Sequence, residues 1–289
     1  MTMKKEEFLG LSCLLYGTVF WGLVWYPYRL LELNQIYPIS ASTLTFMVAS
    51  LFAVIFIYPK RYEDIFSNIN SLVIFALVGC VTNISYVIAV VNGDVVRSML
   101  LFFMSPLWTI FLSYFLIPKD TFQKKDVYIA LMSITGGFII LFDLNSFLMK
   151  IEFSDFFALM AGIFFACTNV LARKFSKIHY QSKSFAIWIG VAVGGTLLIL
   201  ITNDLNVTNL MNSNSLILLF IIGFLLFCST LIIQYGLPKI NPVKASPIFT
   251  FEIIVAALSS YWLASEILAI KDLVGGLFII LAISLSALK

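Results

Sequence analysis

IFTFEIIVAALSSYWLASE, residues 248–266, has the apolar body of a membrane helix but carries one glutamate near its start and another at its end. A carboxylate near the centre of a bilayer costs about 2.5 to 3.5 kcal/mol even on lenient insertion scales, so Glu252 must be paired, protonated or turned to a watery cavity. Whether that cost applies depends on the rest of the chain.

The chain has 289 residues, of which 61% are hydrophobic and 11% charged, with a mean hydropathy of +1.01. Soluble domains carry roughly 25% charged residues, and a water-exposed surface could not be built from this composition. Uncharged runs recur along the whole length, and about 20 apolar residues suffice for a helix to cross the hydrocarbon core. The class is therefore a polytopic α-helical integral membrane protein. Cys13, Cys80, Cys167 and Cys228 fall inside apolar runs without C-x-x-C spacing, which makes them small packing residues rather than metal ligands. The segment after MTMKKEEF is too long for a signal-peptide core and lacks a small-residue cleavage site, so it is expected to be the first span.

Cutting at charged, Pro-bearing or Asn-rich breaks gives ten expected spans: 8–28, 39–58, 70–92, 95–117, 126–142, 154–173, 184–202, 213–235, 244–264 and 270–288. One alternate set of connections, together with both termini, then holds fourteen of the eighteen basic residues. The other set holds only Arg29, Arg97, Lys150 and Lys271. By the positive-inside rule both termini are cytoplasmic, and no lysine or arginine is expected inside a span.

The sequence also repeats internally. At an offset of 147, Phe102 falls on Phe249, SYFL at 113–116 on SYWL at 260–263, and Arg97 on Lys244. At an offset of 145, LLYGTVF at 14–20 meets LMAGIFF at 159–165. Five spans per repeat is an odd number, which forces the halves into opposite orientations. The expected architecture is thus all-α, ten transmembrane helices as a 5+5 inverted repeat, the symmetry from which alternating-access carriers are built.

Trp21-Gly22, FFACTNVLARKF at 164–175, Pro106 within FFMSPLWTIFL, and YWLASE at 261–266 are the carriers of a resemblance. With them the chain resembles the drug/metabolite transporter superfamily, specifically the ten-span proteins with two EamA-type domains, here expected at 8–142 and 154–288. Two departures stand out. Where the family pairs a proline with a glutamate thirteen residues on, the first half has Pro106 but Lys119, and the second has Ile253 but Glu266. Where it often has an arginine in the second span, this chain has none, with Thr45 near that place.

The resemblance implies a central cavity between the halves. Polar and aromatic candidates to line it and bind substrate are Trp21, Asn83, Tyr86, Ser105, Trp108, Asn169, Gln234 and Glu252. Glu252 has two readings: a protonated structural acid, or a proton-coupling or amine-binding site. One edge of its helical face, Val255, Ala256 and Ser259, is small enough for close packing. Asparagine within a span serves as helix glue as readily as ligand. Trp21, Tyr86 and Trp108 offer stacking surfaces, set against plain packing in a chain with 16% aromatics. Pro106 removes a helix bond and marks a kink or hinge. Glu266, next to Lys271 and Asp272, is expected as a surface or helix-end group that needs no burial, and His179, the single histidine, in a solvated cytoplasmic loop.

No G-x-x-x-x-G-K-[ST] motif is present, so ATP is not the direct energy source. The expected function is a secondary transporter, an exporter by analogy, of small metabolites such as amino acids or related compounds, with proton coupling as one mode. A lipid or lipid-carrier flippase of the same fold is the alternative. An intramembrane enzyme would need a convergent catalytic set that one loop histidine and one isolated acid do not supply. No cofactor, metal, nucleic acid or obligate protein partner is implied; the partners are a small-molecule substrate and the bilayer. The expected location is the cell membrane, of bacterial inner-membrane type.

Overall fold

A single apolar segment in lipid must satisfy its backbone N–H and C=O groups internally, which only a helix does. The computed structural model describes residues 5–117, 124–143, 148–203, 212–236 and 242–287. The described chain is helical apart from turns and a two-residue antiparallel pairing of β1 (Phe142–Asp143) with β2 (Leu148–Met149). The helices are α1 (Lys5–Leu23), α2 (Trp25–Leu33), α3 (Pro38–Phe56), α4 (Tyr58–Ser67), α5 (Ile69–Asn92), α6 (Val95–Phe102) and α7 (Ser105–Leu116). After them come α8 (Lys124–Leu141), α9 (Phe153–Lys174), α10 (Tyr180–Thr202), α11 (Ser213–Gly236), α12 (Pro242–Ala264) and α13 (Ile270–Ala287).

Among the described residues, seven stretches are long and apolar enough to cross a membrane: Phe8–Leu33, Pro38–Phe56, Ile69–Asn92, Val95–Leu116, Phe153–Lys174, Tyr180–Thr202 and Ser213–Gly236. The first joins α1 to α2 and the fourth joins α6 to α7. The described apolar part of α12, Phe251–Ala264, is shorter, and α8 and α13 each begin with charged residues.

Local chemistry sets the ends. Pro38 opens α3, and Asp94 caps α6 by accepting a hydrogen bond from Arg97 N at 2.8 Å. The α6–α7 break falls at Phe103 and Met104, just ahead of Pro106, whose ring cannot follow a full helical turn. At the end of α12, Ser265 is left-handed (φ 55°) and Glu266 N donates back to Ser260 O at 3.2 Å, a hydrogen bond that closes the helix end.

Three expectations change. YPKRYED is helix α4 rather than a simple break. The first span runs on to Leu33, so Arg29 lies inside it, and Arg97 lies inside α6 at 7% exposure. Both arginines are tolerated there because each is ion-paired, as described below.

The packing repeats. Helix α9 packs on α5 and on α6–α7; correspondingly α1 packs on α11 and α12. Helix α10 packs on α3 and α5, and α3 packs on α10 and α11. Helix α8 packs on α13. Exchanging α1, α3, α5, α6–α7 and α8 with α9, α10, α11, α12 and α13 maps these contacts onto themselves, so the first helix of each half is seated in the other half. Small residues allow the closest approaches: a Cβ on Gly162 would lie 2.6 Å from Phe102 O. Around the outside, Leu200, Ile201, Phe115 and Trp262 are all at least 70% exposed, an apolar belt suited to lipid contact.

Candidate functional site

The middle of α12 meets α1 almost backbone to backbone. A Cβ on Gly22 would lie 2.9 Å from the Glu252 carbonyl oxygen and 2.8 Å from the Val255 side chain. One turn along, Trp25 Nε1 donates to Ser259 Oγ at 3.0 Å, and Ser259 Oγ lies 3.3 Å from Gly22 O. Ala256 is fully buried between them. The small edge of the Glu252 face is therefore the α1–α12 contact, and it fixes the height at which the carboxylate sits.

The Glu252 side chain is partly buried, and Tyr86 of α5 is a second polar group in the bundle interior. Tyr86 is 8% exposed, and its hydroxyl has no hydrogen-bond partner among the described residues. Its ring stands edge-on to Phe102 of α6 at 5.8 Å, and Phe102 meets Phe165 of α9 at 5.0 Å. Tyr28 of α2 is buried nearby in the chain's core, with its hydroxyl held 2.8 Å from Thr45 Oγ1. Thr45 thus stands near the place of the family's arginine and anchors a tyrosine.

The other candidates are placed differently. Asn83 turns its amide back to Gly79 O at 2.8 Å, and Asn169 is exposed on α9. Trp21 is half-buried beside Phe20. Ser105 is buried at the start of α7, Pro106 follows it half-buried, and Trp108 one turn on has a buried indole N–H without a partner among the described residues. Gln234 is half-buried on α11. Phe102, Phe165, Tyr28 and Trp25 were not singled out from sequence; aromatics are too common in this chain to stand out. Among the described residues no three His, Cys, Asp or Glu side chains stand close enough to hold a metal, and the four cysteines are free.

At one end of the bundle, Arg29 forms an ion pair with Glu266, Nη1 to Oε1 at 2.6 Å. Its Nε donates to Val90 O at 2.9 Å, its Nη2 to Gly93 O, and its guanidinium lies over the Trp25 ring at 5.0 Å. Glu266 Oε2 accepts from Val95 N at 3.0 Å. Glu266 is therefore a tie between α2, the α5–α6 turn and the end of α12, a helix-end group as expected but a largely buried, ion-paired one rather than one without need of burial. Burial, and after it Asp94, pushes its carboxyl above the usual range, while Arg29 and the Val95 N–H pull it back. Arg97 makes a bidentate pair with Asp155, both contacts 2.7 Å, and also donates to Ile140 O and Lys150 O.

At the other end, Asp64 of α4 accepts from His179 N at 3.2 Å and from Ser182 Oγ, while Arg61 reaches Gln181 Oε1 at 2.9 Å and His179 Nε2 at 3.0 Å. His179 also caps α10. Burial and then the neighbouring Arg61 lower its pKa, against Asp64. This histidine is a clasp between α4 and the α9–α10 turn rather than a solvated loop residue.

A bundle whose helix contacts map onto themselves, with an acid and buried polar groups in its interior, has the plan of a duplicated carrier. The sequence model of the EamA-like transporter family matches twice, over residues 8–142 and 152–288. The chain belongs to the EamA-like transporter family. It is accordingly a multi-pass membrane transporter of the drug/metabolite type, with a small molecule as its cargo. No curated protein matches it in sequence. A solved structure, described only as the crystal structure of a protein, is similar with a TM-score of 0.57 at 11% identity, over 99% of both chains. At that identity the likeness is one of fold, and it extends over the whole EamA-like chain.

Proposed function

We propose that this EamA-like protein is a ten-span secondary transporter, with residues 8–142 and 154–288 as inverted five-helix halves and both termini in the cytoplasm. It sits in the cell membrane and exports small metabolites, amino acids and their relatives being the first to try. The self-mapping contact pattern supports the inverted repeat, because such a pattern has a counterpart packing in which the halves exchange roles, as alternating access requires. The single observation carrying the site is Glu252, a partly buried carboxylate in the middle of α12 where that helix meets α1 almost backbone to backbone.

In this reading Glu252 and Tyr86 contact substrate, with Trp21, Asn83, Ser105, Trp108 and Asn169 as further contacts. Pro106 supports a hinge at the α6–α7 break. Glu252 is also the candidate for proton coupling. Metabolite profiling of cells with and without the protein, followed by flux of any hit into proteoliposomes under an imposed pH gradient, tests it. PH-driven flux that survives Glu252→Gln would remove the coupling role, and movement of a labelled lipid between leaflets without any soluble solute would replace the transporter of metabolites by a flippase.

A further inference from the structure

The helix contacts sort much of the bundle into two bodies. Helix α9 is seated on α5 and α6–α7, and α1 is seated on α11 and α12. Each seat is fastened from within. In the first body Arg97 of α6 holds Asp155 of α9 through two contacts of 2.7 Å, and a Cβ on Gly93 would meet the Ser154 side chain. In the second, Gly22 of α1 lies against the Glu252 carbonyl, and Trp25 donates to Ser259 at 3.0 Å. The Arg97 and Asp155 side chains are only 9% and 0% exposed, so parting them would leave both charges desolvated. That joint stays made whichever way the bodies tilt.

Between the bodies the bonding is of another kind. Arg29, at the α2 end of the first span with its guanidinium 5.0 Å over the Trp25 ring, pairs with Glu266 at the end of α12. Together they grip the backbone of the α5–α6 turn. The guanidinium donates to Val90 O at 2.9 Å and to Gly93 O, and Glu266 Oε2 accepts from Val95 N at 3.0 Å. One ion pair of zero net charge thus holds three backbone groups of the opposite body. Its side chains are 21% and 15% exposed, so water can take over both when the grip opens. A reversible contact needs that access, and the Arg97–Asp155 joint lacks it.

The internal repeat does not supply this grip a second time. At its offsets of 145 and 147, Arg29 falls on Lys174 and Glu266 on Lys119, two like charges, of which Lys119 lies outside the described residues. A packing in which the halves exchange roles would therefore close the opposite end without an equivalent ion pair. Closure at the Arg29 end is favoured over its counterpart.

We propose that Arg29 and Glu266 are the latch of the non-cytoplasmic end, shut on the α5–α6 turn in the resting carrier and released when α2 and α12 let go of Val90, Gly93 and Val95. This rests on the transporter reading above and assigns its gate.

Spin-label distances in the full chain in nanodiscs, without substrate, test the latch. Labels on cysteines replacing Asn92 and Ile267, both exposed and on opposite sides of the grip, measure the gap, in a background with the four native cysteines changed to alanine. A second pair, Asn92 with Ile151, lies within the first body, where Arg97 holds the neighbouring Lys150 O. With the latch unaltered, one short Asn92–Ile267 distance should dominate. In Arg29→Gln and in Glu266→Gln a longer population should grow several-fold, while Asn92–Ile151 keeps its distance. Arg29→Lys, which retains the charge, should fall between, and it carries the test where a neutral variant does not fold. An unchanged Asn92–Ile267 distribution in folded variants overturns the latch. Lengthening of both pairs together overturns it too, since that marks a loosened fold rather than an opened end. Because no substrate is needed, the latch can fail while metabolite profiling still shows transport, and a failure of transport leaves the distances to be read on their own.

Discussion

Arg29 and Glu266, 237 residues apart in sequence, meet at 2.6 Å and bring together α2, the α5–α6 turn and the end of α12. The guanidinium is fully used: one arm on the carboxylate and two on backbone carbonyls. Removing it leaves a partly buried carboxylate short of a partner and two carbonyls unsatisfied. Arg29→Ala should therefore cost about 2 to 4 kcal/mol, read as a lowered melting temperature in detergent. Arg29→Lys keeps the charge but not the planar fork, and it should recover less than half of that loss.

Glu266 adds a pH dependence whose sign follows from its environment. Burial first, then Asp94, raises its carboxyl above the ordinary value despite Arg29. Between the unfolded and folded values the native protein holds the extra proton, so this group's contribution to stability falls as pH rises through that window and recovers on acidification. Relative to Glu266→Gln, the wild type should gain melting temperature as pH is lowered from 7 towards about 4.5. A constant difference between the two proteins across that range would show that the site does not titrate there.

Ser265 holds the left-handed position that ends α12 and aims Glu266 at Arg29. A side chain in that conformation costs roughly 1 to 2 kcal/mol that glycine does not incur. Part of this returns as entropy in the unfolded chain, so Ser265→Gly should raise stability by about 0.5 to 1 kcal/mol while leaving the ion pair intact. Melting of the single variant and of its combination with Arg29→Ala separates the two effects: the gain should persist in the double variant, reduced if the turn also needs the pair.

The helices were legible because charge, proline and asparagine collect where a chain leaves lipid, and the expected segments fall on helices to within a few residues, except where Arg29 carries the first span further. Helix α4 was hidden because its charges look like a loop, although Tyr58, Tyr62, Ile65 and Phe66 recur at helical spacing. Glu252 was legible as an anomaly of its surroundings. Tyr86 was singled out with it, whereas its ring neighbours Phe102 and Phe165 acquire meaning only when three helices converge. Arg29 with Glu266 and Arg97 with Asp155 could not be paired from sequence, since neither member carries a local sign of the other.

One repeated signal was present in the sequence and carries its own consequence. Gly136-Gly137 in TGGFIIL and Gly275-Gly276 in VGGLFIIL mark equivalent places in α8 and α13. In the fold the two helices touch there reciprocally: a Cβ on Gly136 would lie 2.7 Å from Gly275 O, and one on Gly275 would lie 2.7 Å from Gly136 O. A carbonyl cannot move aside as a flexible side chain can, so either glycine→alanine change has to push the helices apart, at about 1 to 3 kcal/mol. The two effects should not add, because the first separation already makes room for the second methyl. Gly276→Ala is the control, since its Cβ would meet the side chain of Leu100 at 3.0 Å, which can rotate. Melting temperatures should therefore fall for Gly136→Ala and for Gly275→Ala, fall by less than the sum for the pair, and change least for Gly276→Ala. A full sum in the double variant would mean that the contact is not shared.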